Sequence, residues 1–411
     1  MFAIWGWDRP IACSIGGPHT TYRSGWLRRL AQSLGTSVQP DDRILLNDFV
    51  AQWREVQGDA VAAFERVGQS GWLILGKEVE AFEAELASFW GIPYAVGCGN
   101  GLDAIELGLR VLGLCPGDKV LTTPLSAFAT TLAIVRAGGV PVFVDVDASG
   151  LIDLNRAAEA ASKDAAIKFL VPVHLYGHAL DGEQLASVAR AYALTVVEDC
   201  AQAIGAFSRG TPVGAVGRVA ATSFYPTKNL GAMGDAGAVL CREAALATEL
   251  RSLRDYGHTA KYVHARLGVN SRLDELQAAL MRSAFLPRLA RHTERRRTIA
   301  EHYRDNIRNS ALTLPPLPPG SQSVWHLFPV LVQGNRDEFA AYLQQLGVGC
   351  GLHYPVLIAD QDALANVRHE RADDLLGAQK FARSEISLPI HPYLTDAEVE
   401  RVVAACNGWK P

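Results

Sequence analysis

Apolar positions along the chain recur with two different periods. In residues 60–67 and 79–90 they fall three and four apart, which lines one face of a 3.6-residue helix and predicts two amphipathic helices. Residues 104–112, 273–284, 292–307, 337–346 and 396–406 read the same way. Between the early helices lie short runs in which apolar residues are consecutive: 119–122, 140–146, 167–174, 194–197, 219–224 and 237–241. Runs of that kind suit strands covered on both faces, as in a parallel sheet. The gaps separating the first five leave room for a crossover helix each. The sixth follows the fifth too closely for a crossover and is expected to pair antiparallel, across a loop that holds Lys228.

A break made of Pro315, Pro316, Pro318 and Pro319 precedes a further strand, HLFPVLV, and a second, smaller α/β unit. The expected organisation is an N-terminal extension over 1–42, a large α/β domain over 43–285 and a small domain over 286–411. The extension shows no sustained period, although a short helix over 22–34 fits its pattern.

Composition narrows the function classes. With 49% hydrophobic and 20% charged residues in 411, the chain can bury a large core. The formal net charge of −4 gives no basic excess for a nucleic-acid backbone. The Arg-rich run over 288–297 reads as the solvated face of a helix. No apolar run is long enough to span a bilayer. Seven scattered cysteines with no CxxC pair read as reduced thiols in a cytoplasmic protein, with no metal site. The first residues lack the charged start of a signal peptide.

Three short stretches carry chemistry. Lys228 sits directly after an apolar strand and before GAMGDAG. Desolvation there would favour the free amine that carbonyl chemistry needs, although a surface lysine in a loop also fits. Asp199 closes VVEDCAQ, where a strand end would aim it into a cleft; a helix-capping Asp is the alternative. GCGNGLDA is a glycine-rich turn opening a helix, suited to a phosphate, and its spacing is unlike a dinucleotide fingerprint. Together a phosphate turn, an acid for a ring nitrogen and a lysine are what pyridoxal phosphate (PLP) requires.

With these stretches in place, the chain resembles the nucleotide-sugar aminotransferases of the DegT/StrS type. The likeness runs from about residue 44 to 406 through SGWLILGKEVEAFEAELASFWG, GNGLDAIELGL, GDKVLTTPLSAFATTLAI, VPVHLYGHALD, VVEDCAQAIGA, SFYPTKNLGAMGDAGAV, GVNSRLDELQAAL, HYP and LPIHPYLT. It implies fold type I of the PLP-dependent transferases: a mostly parallel seven-stranded sheet sandwiched by helices, with a smaller α/β C-terminal domain. It also implies roles. Lys228 would hold PLP covalently and Asp199 its pyridinium nitrogen. Gln202 would meet the ring's phenolic oxygen and Phe128 would stack on the ring. Asn100, Gly101, Leu102 and Ser223 would bind the phosphate, and Asn270 would reach the phosphate of the neighbouring subunit in a homodimer. His353, Tyr354, His326, His174 and Trp72 would lie near the substrate.

The implied reaction moves an amino group from L-glutamate to a nucleotide-linked keto-sugar. The subgroup most similar aminates C3 of dTDP-keto-6-deoxyhexoses. Two departures stand out. Leu102 replaces a hydroxyl residue of the family's phosphate turn, and Ile204 stands where histidine is frequent. Cys200, where alanine is common, reads as packing. Two other readings remain: a PLP-binding regulatory or sensory protein without turnover, and a PLP-dependent sugar dehydratase, in which histidine replaces the lysine. Tyr176 and His178, and the loop bearing His258, His264 and Arg266, are further candidates for substrate contact.

Overall fold

A computed structural model describes residues 42–411. The expected helix over 22–34 and the extension lie outside the described residues, apart from Asp42. The chain first forms two helices. α1 (Phe49–Ser70) is capped by Asp48, whose carboxylate accepts from the Ala51 amide at 2.8 Å, and it stops at Gly71, whose φ of 65° only glycine adopts freely. α2 (Lys77–Trp90) buries Val79, Phe82, Leu86 and Trp90 on the stripe its spacing foretells.

The main sheet then forms from β1 (Tyr94–Cys98), β2 (Lys119–Thr122), β3 (Val140–Phe143), β4 (Ile167–Val171), β5 (Thr195–Asp199), β6 (Val219–Ser223) and β7 (Gly237–Cys241). Helices α3 (Gly101–Val111), α4 (Phe128–Arg136), α5 (Leu154–Lys163) and α6 (Gly182–Ala191) connect the first five strands. The sheet order is β1-β7-β6-β5-β4-β2-β3, and β7 runs antiparallel to both its neighbours while the rest are parallel.

The sheet has eight strands rather than seven. The eighth, Glu370–Arg371, comes from the C-terminal part of the chain and pairs parallel with β3. Two residues carry no periodicity, so no sequence pattern announces it. β1 was also absent from the consecutive apolar runs, because Gly97 interrupts it. Gly97 is nonetheless required: a Cβ there would sit 2.9 Å from the Leu273 side chain.

The helix expected over 273–284 is more irregular. α7 (Ala244–Leu253) precedes α8 (Glu275–Leu280), which passes into a π-turn at Met281–Phe285 and a 3-10 turn at Leu286–Arg288. Pro287 lacks an N–H and cannot continue the α pattern, so the helix changes its winding there before α9 (Leu289–Asn306) begins.

The C-terminal portion has its own three-stranded antiparallel sheet: β8 (Leu312–Thr313), β9 (Phe328–Val332) and β10 (Glu385–Leu388), with β9 central. α10 (Arg336–Gln345), α11 (Leu376–Ser384) and α12 (Asp396–Gly408) accompany it. Its core joins Tyr303, Phe328, Phe339, Ile386, Val402 and Trp409 and is separate from the clusters flanking the main sheet. Of the Arg-rich run, Arg296 departs from a solvated face. It is buried and donates to the Trp325 and Ile390 carbonyls at 3.3 and 3.1 Å. No helix among the described residues is long and apolar enough to cross a membrane.

Candidate active site

The carboxyl ends of the parallel strands converge on one region, where α/β sheets place their ligands. β5 delivers Asp199 as its last residue. One carboxylate oxygen accepts from Thr130 Oγ1 at 2.8 Å, and the other from the Ala201 amide at 3.1 Å. Burial pushes the Asp199 carboxyl up, and the two donors, Lys228 and His174 oppose it. No cation forms an ion pair with it among the described residues.

Lys228 lies in the turn after β6, with its amide donating to the Tyr225 carbonyl at 2.8 Å. The side chain is half-buried and makes no hydrogen bond or ion pair among the described residues. Burial lowers its ammonium to about 8, against the pull of Asp199.

The glycine-rich turn is tightly built. Asn100 caps α3: its Oδ1 accepts from the Asp103 amide at 2.8 Å and its Nδ2 donates to the Asp103 carboxylate at 3.0 Å. A Cβ on Gly101 would lie 2.5 Å from Ser223 Cβ, so the turn and the end of β6 touch. The amides of Gly101 and Leu102, at the start of α3, find no protein acceptor among the described residues. They offer an anion the dipole end of a helix. The Leu102 side chain packs against the core beneath, so the missing hydroxyl leaves its amide available.

Gln202 links the floor of the site to the C-terminal portion of the chain. Its Oε1 accepts from the Tyr176 amide at 2.7 Å and its Nε2 donates to the Tyr354 hydroxyl at 3.3 Å. Tyr176, at φ 61°, donates from its hydroxyl to the His353 carbonyl at 2.8 Å. Phe128 opens α4 and packs in the same cluster as Tyr176 and Tyr354. His326 Nδ1 lies 3.2 Å from Asn229 Oδ1, beside Lys228; burial and then the Lys228 charge hold its imidazole well below the usual range.

The sequence and the fold have counterparts among known proteins. The sequence profile of the DegT/DnrJ/EryC1/StrS aminotransferase family matches residues 55–407. The chain belongs to that family. It is 40% identical to the dTDP-3-amino-3,4,6-trideoxy-alpha-D-glucose transaminase of Streptomyces venezuelae, over 89% of this chain and 96% of that protein. It is 42% identical to the erythromycin biosynthesis sensory transduction protein EryC1 of Saccharopolyspora erythraea, over 88% and 98%. The solved structure of S. venezuelae DesV in complex with a ketimine intermediate superposes with a TM-score of 0.85 at 39% identity, covering 89% of this chain and 98% of that one.

As a DegT/DnrJ/EryC1/StrS aminotransferase, the protein is a PLP enzyme, and its residues fit that cofactor. Lys228 and Asp199 are charges of opposite sign withdrawn from water, and neither has an ion-pair partner among the described residues. A group joined to the lysine and presenting a protonated ring nitrogen to the aspartate would satisfy both.

Other expected positions differ. His174, expected near the substrate, is only 2% exposed. Its Nε2 faces Glu198 at 2.9 Å and its Nδ1 accepts from the Leu180 amide at 3.1 Å, so both ring nitrogens are engaged inside the protein. It buttresses β5 and is not free to meet a substrate. His174, Glu198 and Cys200 form a cluster of metal-ligand type. Glu198, however, also accepts from the amides of Gly214, Val216 and Gly217, which takes up both its oxygens. Trp72 is exposed, and its indole donates to the Ile74 carbonyl at 2.7 Å; no hydrogen bond joins it to the Lys228 cluster. His178 is buried against Ser323 at 2.8 Å.

Asn270 is exposed. Its neighbour Ser271 donates to Asp103 at 2.7 Å and accepts from the Gly99 amide at 3.0 Å, which ties this segment to the glycine-rich turn of its own chain. His258 and His264 stand on a small hairpin whose tip, with Tyr262, is exposed. Thr130, Ser271 and Glu385 were not singled out in the sequence. Thr130 lies two residues after Phe128, but its contact with Asp199 spans 69 residues and leaves no local pattern.

Proposed function

We propose that this DegT-family aminotransferase moves the amino group of L-glutamate to C3 of a dTDP-linked 3-keto-6-deoxyhexose, in amino-deoxysugar biosynthesis, as a cytoplasmic homodimer. The observation that carries the transamination is the placing of a desolvated Lys228 and a buried Asp199, neither with an ion-pair partner among the described residues, at the ends of adjacent strands. The C3 position and the dTDP carrier are supported by the printed name of the S. venezuelae relative.

When bound, PLP supplies an aldehyde carbon that condenses with amines and a pyridine ring that withdraws electrons. Lys228 Nζ would hold the cofactor, and its free amine is the group placed to take up the Cα proton of glutamate. Its lowered basicity keeps a usable fraction as free amine near neutrality. Asp199, its carboxylate fixed by Thr130 and the Ala201 amide, would keep the ring nitrogen protonated. Phe128 would stack on the ring and Gln202 would meet its phenolic oxygen. The Gly101 and Leu102 amides, the Asn100 turn and Ser223 would hold the phosphate, with Asn270 of the partner subunit completing the site. His353, Tyr354 and His326 border the sugar.

The regulatory reading draws support from the name of the EryC1 relative, and one experiment separates it from catalysis. The visible spectrum of the purified protein is recorded before and after L-glutamate. Conversion of the lysine-bound PLP band to the pyridoxamine form, reversed by a dTDP-keto-sugar, is the expected result. A band that ignores glutamate would favour another donor or a sensor, and no band after PLP is supplied would overturn the reading. Lys228 itself speaks against a dehydratase.

A further inference from the structure

In the C-terminal portion, two side chains with no part in the roles above, Glu385 and Ser387, reach His353. Glu385, on β10, is 1% exposed and forms no ion pair among the described residues. One carboxyl oxygen accepts from the His353 amide at 2.6 Å, and the other lies 2.6 Å from Ser387 Oγ. Ser387 Oγ in turn lies 2.9 Å from His353 Nδ1. The other ring nitrogen, Nε2, makes no hydrogen bond among the described residues.

A serine hydroxyl has one proton, so this chain can run in only two directions. With Glu385 ionised, Ser387 donates to the carboxylate and His353 Nδ1–H donates to Ser387, which leaves Nε2 bare. With Glu385 protonated, its O–H donates to Ser387, Ser387 donates to Nδ1, and the ring proton resides on Nε2. Burial without a cation favours the protonated acid.

We propose that Glu385 and Ser387 are positioning residues that hold His353 as its Nε2–H tautomer, so that the ring offers a donor to an oxygen of the keto-sugar, and that loss of the Glu385 proton reverses the chain and makes the same nitrogen an acceptor. In the reversal one proton leaves Glu385 for solvent, and the single ring proton moves from Nε2 to Nδ1. A carbonyl or hydroxyl oxygen meets Nε2–H favourably, whereas a bare Nε2 would set lone pair against lone pair. The substrate role of His353 rests on the proposed function; the tautomer control does not.

The surroundings agree. Burial raises the Glu385 carboxyl to about 8, opposed by Ser387, by the His353 amide and by the charge of Arg336. Arg336, on α10, is turned to Asp337 and to the Ala382 carbonyl at 2.7 Å. The other titratable groups facing Glu385 are Cys350, raised to about 11, and Tyr176 and Tyr354, both raised by burial, so all three are neutral. Burial first, then Lys228, lowers His353 to about 4, which leaves a neutral ring with a tautomer to choose.

The test is a two-bond proton–nitrogen spectrum of the full-length holoenzyme labelled with [15N]histidine, with His353 identified among the 11 histidines by H353Q. The expected result is the Nε2–H pattern at pH 7, changing to Nδ1–H as pH rises through about 8. Glu385→Gln, whose amide donates to Ser387 and whose carbonyl accepts from His353, should hold Nε2–H at every pH. An Nδ1–H pattern at pH 7 in the wild type, or an unchanged reversal in E385Q, would overturn the proposal. Should E385Q not fold, the wild-type titration decides alone, and Ser387→Ala should uncouple the tautomer from that pH. In single-turnover measurements, KM for the keto-sugar should rise about tenfold above pH 8 in wild type only, with the glutamate half-reaction unaffected. The expected tautomers without any amino transfer would count against the proposed function and leave the relay standing.

Discussion

At Lys228 a single side chain sets the chemistry, because its surroundings lower the basicity of its amine. A lysine at its ordinary value is almost wholly charged at neutral pH. At about 8, about a tenth of it is free at pH 7. Capture of PLP by the cofactor-free protein should therefore speed up with pH and level off just above 8; a rate still climbing steeply at pH 10 would show an unperturbed lysine. Asp199 is the counterpart. Asp199→Asn should lower kcat on the order of a hundredfold or more with the fold intact by circular dichroism, since the ring nitrogen would lose its anion. Thr130→Val removes one hydrogen bond to a charged group, worth about 1.5–3 kcal/mol, and should cost roughly tenfold or more in kcat with little change in KM for glutamate. The positions of Lys228 and Asp199 were legible because Asp199 closes an apolar strand and Lys228 lies in the turn after one. Thr130 was not, because only the tertiary fold brings the first turn of α4 to the end of β5.

Among the elements, the helices follow their apolar stripes and caps, and their ends are where local chemistry decides. Thr395 and Glu398 form a reciprocal capping box at the start of α12. Thr395→Ala should lower stability by about 1 kcal/mol and leave turnover unchanged, read by denaturant unfolding. β10 behaves differently, because it buries an acid. Glu385 is raised above its ordinary value in the folded chain, so between about 4.5 and about 8 the native state holds a proton that the unfolded chain has lost. Its contribution is thus fully present below about 4.5 and is lost as pH rises towards 8. Glu385→Gln should flatten this fall, so that the variant gains on wild type in midpoint denaturant concentration between pH 6 and pH 9; parallel curves would show that the acid ionises normally. Nothing in SEISLP marks Glu385 as an acid without a cation. That depends on how β10 packs between β9 and the His353 segment.

For the whole molecule, the informative surface is apolar. α1 exposes Phe49, Val50, Trp53, Val61 and Phe64, with Met233 and Leu276 beside them in a shallow groove. Trp72, Leu73 and Ile74 extend the exposed apolar surface. A run of large exposed side chains on one helix is characteristic of a covered face. The proposed homodimer would supply the cover and a neighbour for the exposed Asn270. Phe64, 62% exposed, is the residue to test. Phe64→Glu should give a monomer by sedimentation with weakened PLP affinity, since the partner's Asn270 would be withdrawn; a monomer that holds PLP as tightly as wild type would remove Asn270 from the phosphate.

The sequence by itself determined six strands of the main sheet and the helices between them, the antiparallel return of β7, the family and the positions of Lys228, Asp199 and the Asn100–Gly101 turn relative to those strands. These follow from local periodicity and from residues adjacent in the chain. Tertiary structure alone decided the eighth strand, the enclosure of His174 behind Glu198, the grip of Thr130 on Asp199 and the chain from Glu385 to His353. Each joins segments far apart in sequence, so its energy comes from burial and hydrogen-bond direction, which no single stretch of residues encodes.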